Sequence, residues 1–93
     1  MSVQTQTVPE QEVSTDLDRL WMVILFNDDY HPFDQVVAQV QKATGCSPGD
    51  AFQITYTAHT NGQAVAYVGG KAECEQVASV LREIELHVEI EEA

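Results

Sequence analysis

Val23-Ile24-Leu25-Phe26-Asn27-Asp28-Asp29-Tyr30-His31-Pro32-Phe33 is the stretch whose reading decides the fold. Leu20 to Phe26 is apolar at successive positions, which predicts a strand buried on both faces and central in its sheet. It ends abruptly at Asn-Asp-Asp. Pro32 then suits the first position of a helix, where its missing N–H costs nothing. Phe33, Val36, Val37 and Val40 fall at i, i+3, i+4 and i+7, which predicts an amphipathic helix to about Thr44. Three short polar side chains therefore stand where a strand hands over to a helix. Turns favour Asn and Asp for their own backbone, but two carboxylates and an amide between rigid elements also suit a cation such as an ammonium group.

Working outward, Gly45-Cys46 breaks the first helix and Ser47-Pro48-Gly49-Asp50 starts a second. Ser47 is the N-cap, Pro48 the first helical residue, and Asp50 an acid at the positive end of the dipole. This helix is expected to run to about His59 and to stop at Asn61-Gly62, a left-handed cap. Gln63 to Val68 follows as a strand and Gly69-Gly70 as a turn. Lys71 to about Glu83 forms a third helix with Val77, Val80, Leu81 and Ile84 on one face. Leu86, Val88 and Ile90 alternate with His87, Glu89 and Glu91, which predicts a last, half-exposed strand. The order is β-α-α-β-α-β: an α+β fold with a three-stranded, mainly antiparallel sheet packed against three helices. Residues 1–18 hold Gln, Ser, Thr, Val and acid without any period, and are expected to be a disordered acidic extension ahead of a single domain at 19–93.

Composition narrows the partners. The chain has 93 residues, 15 acidic and 4 basic side chains, and a formal net charge of −11. Such a field repels phosphate backbones and anionic lipid heads, which argues against nucleic-acid and membrane-surface binding. No apolar run reaches the roughly 20 residues that span a bilayer, and the amino terminus lacks the pattern of a signal peptide. A cytoplasmic, monomeric protein is expected. Cys46 and Cys74 share no metal-ligand spacing and read as structural thiols in a reducing compartment. No cofactor or metal is expected.

Two helices joined by about three residues form an antiparallel hairpin. The end of the second returns to the start of the first, so His59 is expected opposite Asn27, Asp28 and Asp29, 32 residues from Asn27 in sequence. Phe52, Thr55, Tyr56 and His59 share one helical face. A cleft follows, with Phe33, Val36 and Thr55 as walls and a polar rim of Asn27, Asp28, Asp29 and His59. A free α-amino group seeks acceptors and negative charge, and its neighbouring peptide unit seeks one donor and one acceptor; the rim supplies these.

On these residues the chain resembles the ClpS family, adaptors that recognise N-degrons and deliver them to a Clp AAA+ protease. The resemblance spans about Leu20 to Glu91. It rests on W-x-V-I-L-x-N-D-D-Y-x-P (Trp21 to Pro32), the helix that follows, and A-H-x-x-G-x-A-V (Ala58 to Val65). It implies that Asn27, Asp28, Asp29 and His59 bind the α-amino group and first peptide unit. It also implies that Phe33, Val36, Thr55, Ala58 and Leu86 line the pocket for the first side chain, usually Leu, Phe, Tyr or Trp. The partners implied are N-degron substrates and the N-terminal domain of a Clp ATPase of the ClpA or ClpC type, with the flexible extension engaged during delivery. Three positions depart from the family pattern: Phe33 and Thr55 replace the usual methionines of the gate, and His31 replaces the usual threonine. The third helix and its turn into the last strand are also shorter than usual.

Other functions fit less well. An enzyme using Asp29 and His59 as an acid–base pair would lack a nucleophile motif, a phosphate loop and a wall for a second substrate. A metal site of Asp28, Asp29, His31 and His59 has no compact ligand spacing. A ribosomal-stalk-like interaction domain shares the topology but gives Asn27 and His59 no common task.

Overall fold

The computed structural model describes residues 19–93; the extension expected over residues 1–18 lies outside the described residues. Six principal elements follow in the order β1 (Trp21–Phe26), α1 (Phe33–Thr44), α2 (Pro48–Asn61), β2 (Gln63–Gly69), α3 (Lys71–Leu81) and β3 (Val88–Glu92), with a 3-10 turn at Arg82–Ile84 before β3. The three strands form one sheet in the order β2-β1-β3, antiparallel throughout. The apolar run thus supplies the central strand, as its two-sided hydrophobicity requires. Val23, Ile24 and Leu25 are all buried.

Pairing between β1 and β2 carries one irregularity: Val23 faces Tyr67 while Ile24 faces Val65, which makes Ala66 the extra residue of a bulge. Against β3 the register is regular from Trp21 opposite Glu92 to Leu25 opposite Val88. The core joins Val23 and Leu25 to Val36 and Val40 of α1, Ala51 and Ala58 of α2, Ala64 and Ala66 of β2, and Cys74, Val77, Ala78 and Leu81 of α3. Small residues at Ala51, Ala58, Ala64, Ala66 and Ala78 let the layers approach closely. Each large aliphatic side chain among them contributes roughly 1.5–3 kcal/mol by leaving water.

The caps differ in one detail from expectation. Pro32 is the N-cap of α1 rather than its first helical residue, with φ −58° and ψ 145°, and no side chain caps that end. Its own carbonyl instead receives the amides of Gln35 and Val36 at 3.1 and 3.2 Å. Gly45 closes α1 at φ 75°. Ser47 Oγ accepts the Asp50 amide at 3.1 Å, Pro48 opens α2, and Gly62 closes it at φ 92°. The α-helical part of the third helix stops at Leu81, two residues short of expectation, as the chain tightens into the 3-10 turn and Glu85 takes a positive φ of 65°. The last strand accordingly starts at Val88, and Leu86 precedes it.

Gln39 is a buried polar residue that its polarity alone would have placed outside. Its Nε2 donates to the Val80 carbonyl at 2.7 Å, tying α1 to α3. Lys42 Nζ reaches Glu83 Oε1 at 3.0 Å on the same seam, and this ammonium holds the Glu83 carboxyl below its ordinary range.

Candidate functional site

At the end of β1 the chain leaves the sheet, and one backbone bond decides what it faces. The Asn27 amide donates to the Gly62 carbonyl at 2.9 Å. Gly62 is the left-handed cap of α2. The C-terminal turn of α2, carrying Ala58 and His59, is thereby clasped to the first residue of the Asn-Asp-Asp turn. The antiparallel hairpin of α1 and α2 brings these distant segments together, and the clasp sets their register.

Between them lies a cavity of about 280 Å³ lined by Leu25, Phe26, Asn27, Asp28, Asp29, His31, Phe33, Val36, Thr55, Ala58 and His59. Eight of the nine residues expected at a site from the sequence therefore border one space. Leu86 does not. It is 3% exposed and belongs to the core. The chain turns at Glu85 and reaches β3 only at Val88, which leaves the Leu86 side chain inside the molecule rather than at the cavity rim. Leu25, Phe26 and His31 are lining residues that the pocket expected from the sequence omitted. The continuous apolar run marked Leu25 as buried, and it serves both core and cavity.

The polar rim is ordered by its own short-range bonds. Asn27 Nδ2 donates to Asp29 Oδ1 at 3.1 Å, which leaves the Asn27 amide oxygen free to accept. The Tyr30 amide donates to Asp28 Oδ1 at 2.9 Å, and the His31 ring contacts Asp28 Oδ2 through Nδ1. Burial pushes the Asp28 carboxyl upward, but these bonds from Tyr30 and His31 outweigh it and hold the group below its ordinary value. Asp28 is thus an anion at neutral pH with one oxygen tied to the backbone and the other to an imidazole. His59 is exposed and has no hydrogen-bond partner among the described residues. No lysine or arginine lines the cavity. The space presents acceptors and negative potential at its rim and hydrocarbon below.

The deeper walls are apolar with one exception. Phe33 lies edge-on to Phe52, with ring centroids 5.2 Å apart and an interplanar angle of 64°. Phe52 in turn stacks on Tyr56 at 6.2 Å. Thr55 is buried, and its hydroxyl donates to the Ala51 carbonyl at 2.8 Å. It is both a helix residue bonded to its own backbone and a lining residue. Val36 and Ala58 complete the floor. Among the described residues, no group of three or more His, Cys, Asp or Glu is arranged to hold a metal ion. No helix among them is long and apolar enough to cross a membrane.

A three-stranded antiparallel sheet under three helices thus holds a residue-sized cavity where the central strand meets the helical hairpin. The family model for "ATP-dependent Clp protease adaptor protein ClpS" matches residues 16–89. The chain belongs to the ClpS family. It is 40% identical over 65 residues to the ClpS adapter of Deinococcus radiodurans, covering 70% of this chain and 56% of that protein. It is 31% identical over 77 residues to the human E3 ubiquitin-protein ligase UBR2, covering 77% of this chain and 4% of the ligase. The chain thus spans little more than half the length of that adapter and a small part of the ligase. Among solved structures, ClpS2 of Agrobacterium tumefaciens bound to L-phenylalaninamide superposes with a TM-score of 0.75 at 26% identity, covering 81% of this chain and 98% of that one.

Proposed function

We propose that this protein is a non-catalytic adaptor that captures polypeptides through a free N-terminal bulky hydrophobic residue and hands them to a Clp ATPase–protease. The observation that carries it is the cavity, in which an anionic, acceptor-rich rim sits over an apolar floor. Pockets for drug-sized ligands measure roughly 300–1,000 Å³. The cavity, at about 280 Å³, falls just below that range and suits one amino-acid residue. Asn27 Oδ1 and His59 are the available partners for the α-ammonium, and Asp28 and Asp29 supply the negative potential. Phe33, Val36, Thr55 and Ala58 take the side chain. Charge-assisted hydrogen bonds contribute roughly 1.5–3 kcal/mol each, and burial of one large apolar side chain a similar ~1.5–3 kcal/mol. Neither contribution alone gives a specific complex; together they select a residue that is both amino-terminal and bulky. The phenylalanine amide held by the Agrobacterium relative, a single residue with a free amine, supports the same chemistry.

Delivery is assigned to two parts of the chain. The domain docks on the N-terminal domain of a ClpA- or ClpC-type ATPase, and residues 1–18 are engaged by the ATPase. The deciding experiment is fluorescence polarisation with peptides that differ only in their first residue, each with a free and an N-acetylated terminus. Free Leu-, Phe-, Tyr- and Trp-initiated peptides are expected to bind, and acetylated ones to lose at least tenfold. Equal binding of both forms would remove the ammonium receptor and the function with it.

A further inference from the structure

We infer that Thr55 makes this cavity selective for tyrosine, so that the preferred N-terminal residue carries a hydrogen-bond donor at its far end. The inference rests on the adaptor function proposed above and concerns which side chain that site takes.

Thr55 is only 5% exposed, yet it lines the cavity. A hydroxyl has one proton to give and two lone pairs to receive with. The proton of Thr55 Oγ1 is already committed to the Ala51 carbonyl at 2.8 Å. Among the described residues none donates to Oγ1 in return. The hydroxyl therefore offers an occupant of the cavity only acceptor capacity. Its lone pairs are unused among the described residues, so an occupant that brings a donor gains a hydrogen bond that one of the same shape without a donor does not.

The spacing along α2 provides the ruler. Thr55 and His59 are four residues apart on one helical face, about one turn or ~5.4 Å along the axis. A terminal residue whose ammonium is held at His59 and Asn27, and whose side chain lies along α2, carries its distal atoms past one turn of helix to Thr55. Leucine branches too early to span that distance. Phenylalanine spans it but presents only C–H. Tyrosine spans it and ends in O–H. The facing wall agrees with an aromatic ring: Phe33 borders the cavity and is braced from behind by Phe52 at 5.2 Å. Aromatic pairs favour offset and edge-to-face contacts, and a braced phenylalanine provides a surface for them.

The test compares matched peptides initiated by Tyr, Phe, 4-methylphenylalanine and Leu, measured by fluorescence polarisation on the wild-type chain, Thr55→Val and Thr55→Ser. 4-Methylphenylalanine has the bulk of tyrosine without its donor. The wild type is expected to favour Tyr over Phe and over 4-methylphenylalanine by about five- to tenfold, the scale of one net hydrogen bond. Thr55→Val should bring the three aromatic peptides together, and Thr55→Ser should preserve the preference. Circular dichroism on both variants verifies that they are folded. If the free peptides bind but Tyr and 4-methylphenylalanine are equivalent on the wild type, or if Thr55→Val leaves their ratio unchanged, the selectivity of Thr55 is refuted while the adaptor function stands. If free and acetylated peptides bind alike, or none binds, both fall together.

Discussion

Asn27 joins the two halves of the site because its backbone and side chain have different tasks. Its amide N–H is bonded to Gly62, which holds α2 in place, and its side-chain amide is oriented by Asp29. Asn27→Ala keeps the first bond and removes the second, so it tests the rim without releasing the clasp. His59 is exposed at the last turn of α2, and no described residue competes for its ring. Either Asn27→Ala or His59→Ala is expected to weaken binding of a free Phe-initiated peptide by at least ~1.5 kcal/mol. Thermal melting should change little, since neither side chain is buried. Wild-type affinity in both variants would take those residues out of the site.

The motif of consecutive Asn, Asp and Asp was legible at once as a polar handover, because short polar residues after an apolar strand have few other uses. The pairing of the His31 ring with Asp28 was not. Two titratable groups three residues apart meet only when the intervening turn closes, and Tyr30 closes it by donating its amide to the same carboxylate.

Among the elements, the loop at the end of α2 matters most for the site. Gly62 stands at φ 92° with nothing within 4 Å of where a Cβ would project. Space therefore does not oppose a side chain there; the backbone does. Gly45, at φ 75°, is the same case at the end of α1. Gly62→Ala and Gly45→Ala are each expected to cost about 1 kcal/mol of stability, measured by urea denaturation, because a left-handed residue with a Cβ is strained. Only Gly62→Ala should also weaken peptide binding, since the carbonyl of residue 62 holds Asn27. Equal effects on binding from both would show that the clasp does not set the site.

Helix starts and stops followed closely from local chemistry at Ser47, Pro48, Gly45 and Gly62. The end of the third helix was less legible. Periodicity continued through Ile84, but tightening into a 3-10 turn at Arg82 preserves an apolar residue on the same side. A sequence pattern cannot distinguish the two. The misplacement of Leu86 has the same origin: alternation marked it as inward-facing, and it is, but inward there means core and not cavity.

For the molecule as a whole, 15 acidic side chains stand against two lysines and two arginines, a formal net charge of −11. The field suits ammonium capture and a basic docking surface, and it falls off over about 8–10 Å at physiological salt. Binding and delivery should be separable. A chain lacking residues 1–18 is expected to bind a free Phe-initiated peptide as the full chain does, yet to fail to accelerate degradation of a Phe-initiated reporter by a ClpA- or ClpC-type ATPase with its peptidase. Undiminished degradation would refute that division of labour.

By itself the sequence determined the element order, the central place of β1, most of the caps and the chemical character of the rim. The element order and the caps depend on residues within one or two turns of one another, where hydrophobic period, capping hydroxyls and glycine conformations act locally. The central place of β1 follows from its two-sided hydrophobicity, and the approach of His59 to the rim from the short link between two helices. Tertiary structure alone decided the contacts that no local pattern marks. It placed Gly62 under Asn27, turned Gln39 inward onto the Val80 carbonyl, sent Leu86 to the core and braced Phe33 against Phe52. Those contacts join segments far apart in the chain, and their distances come from how helices and sheet pack once the apolar faces have found each other.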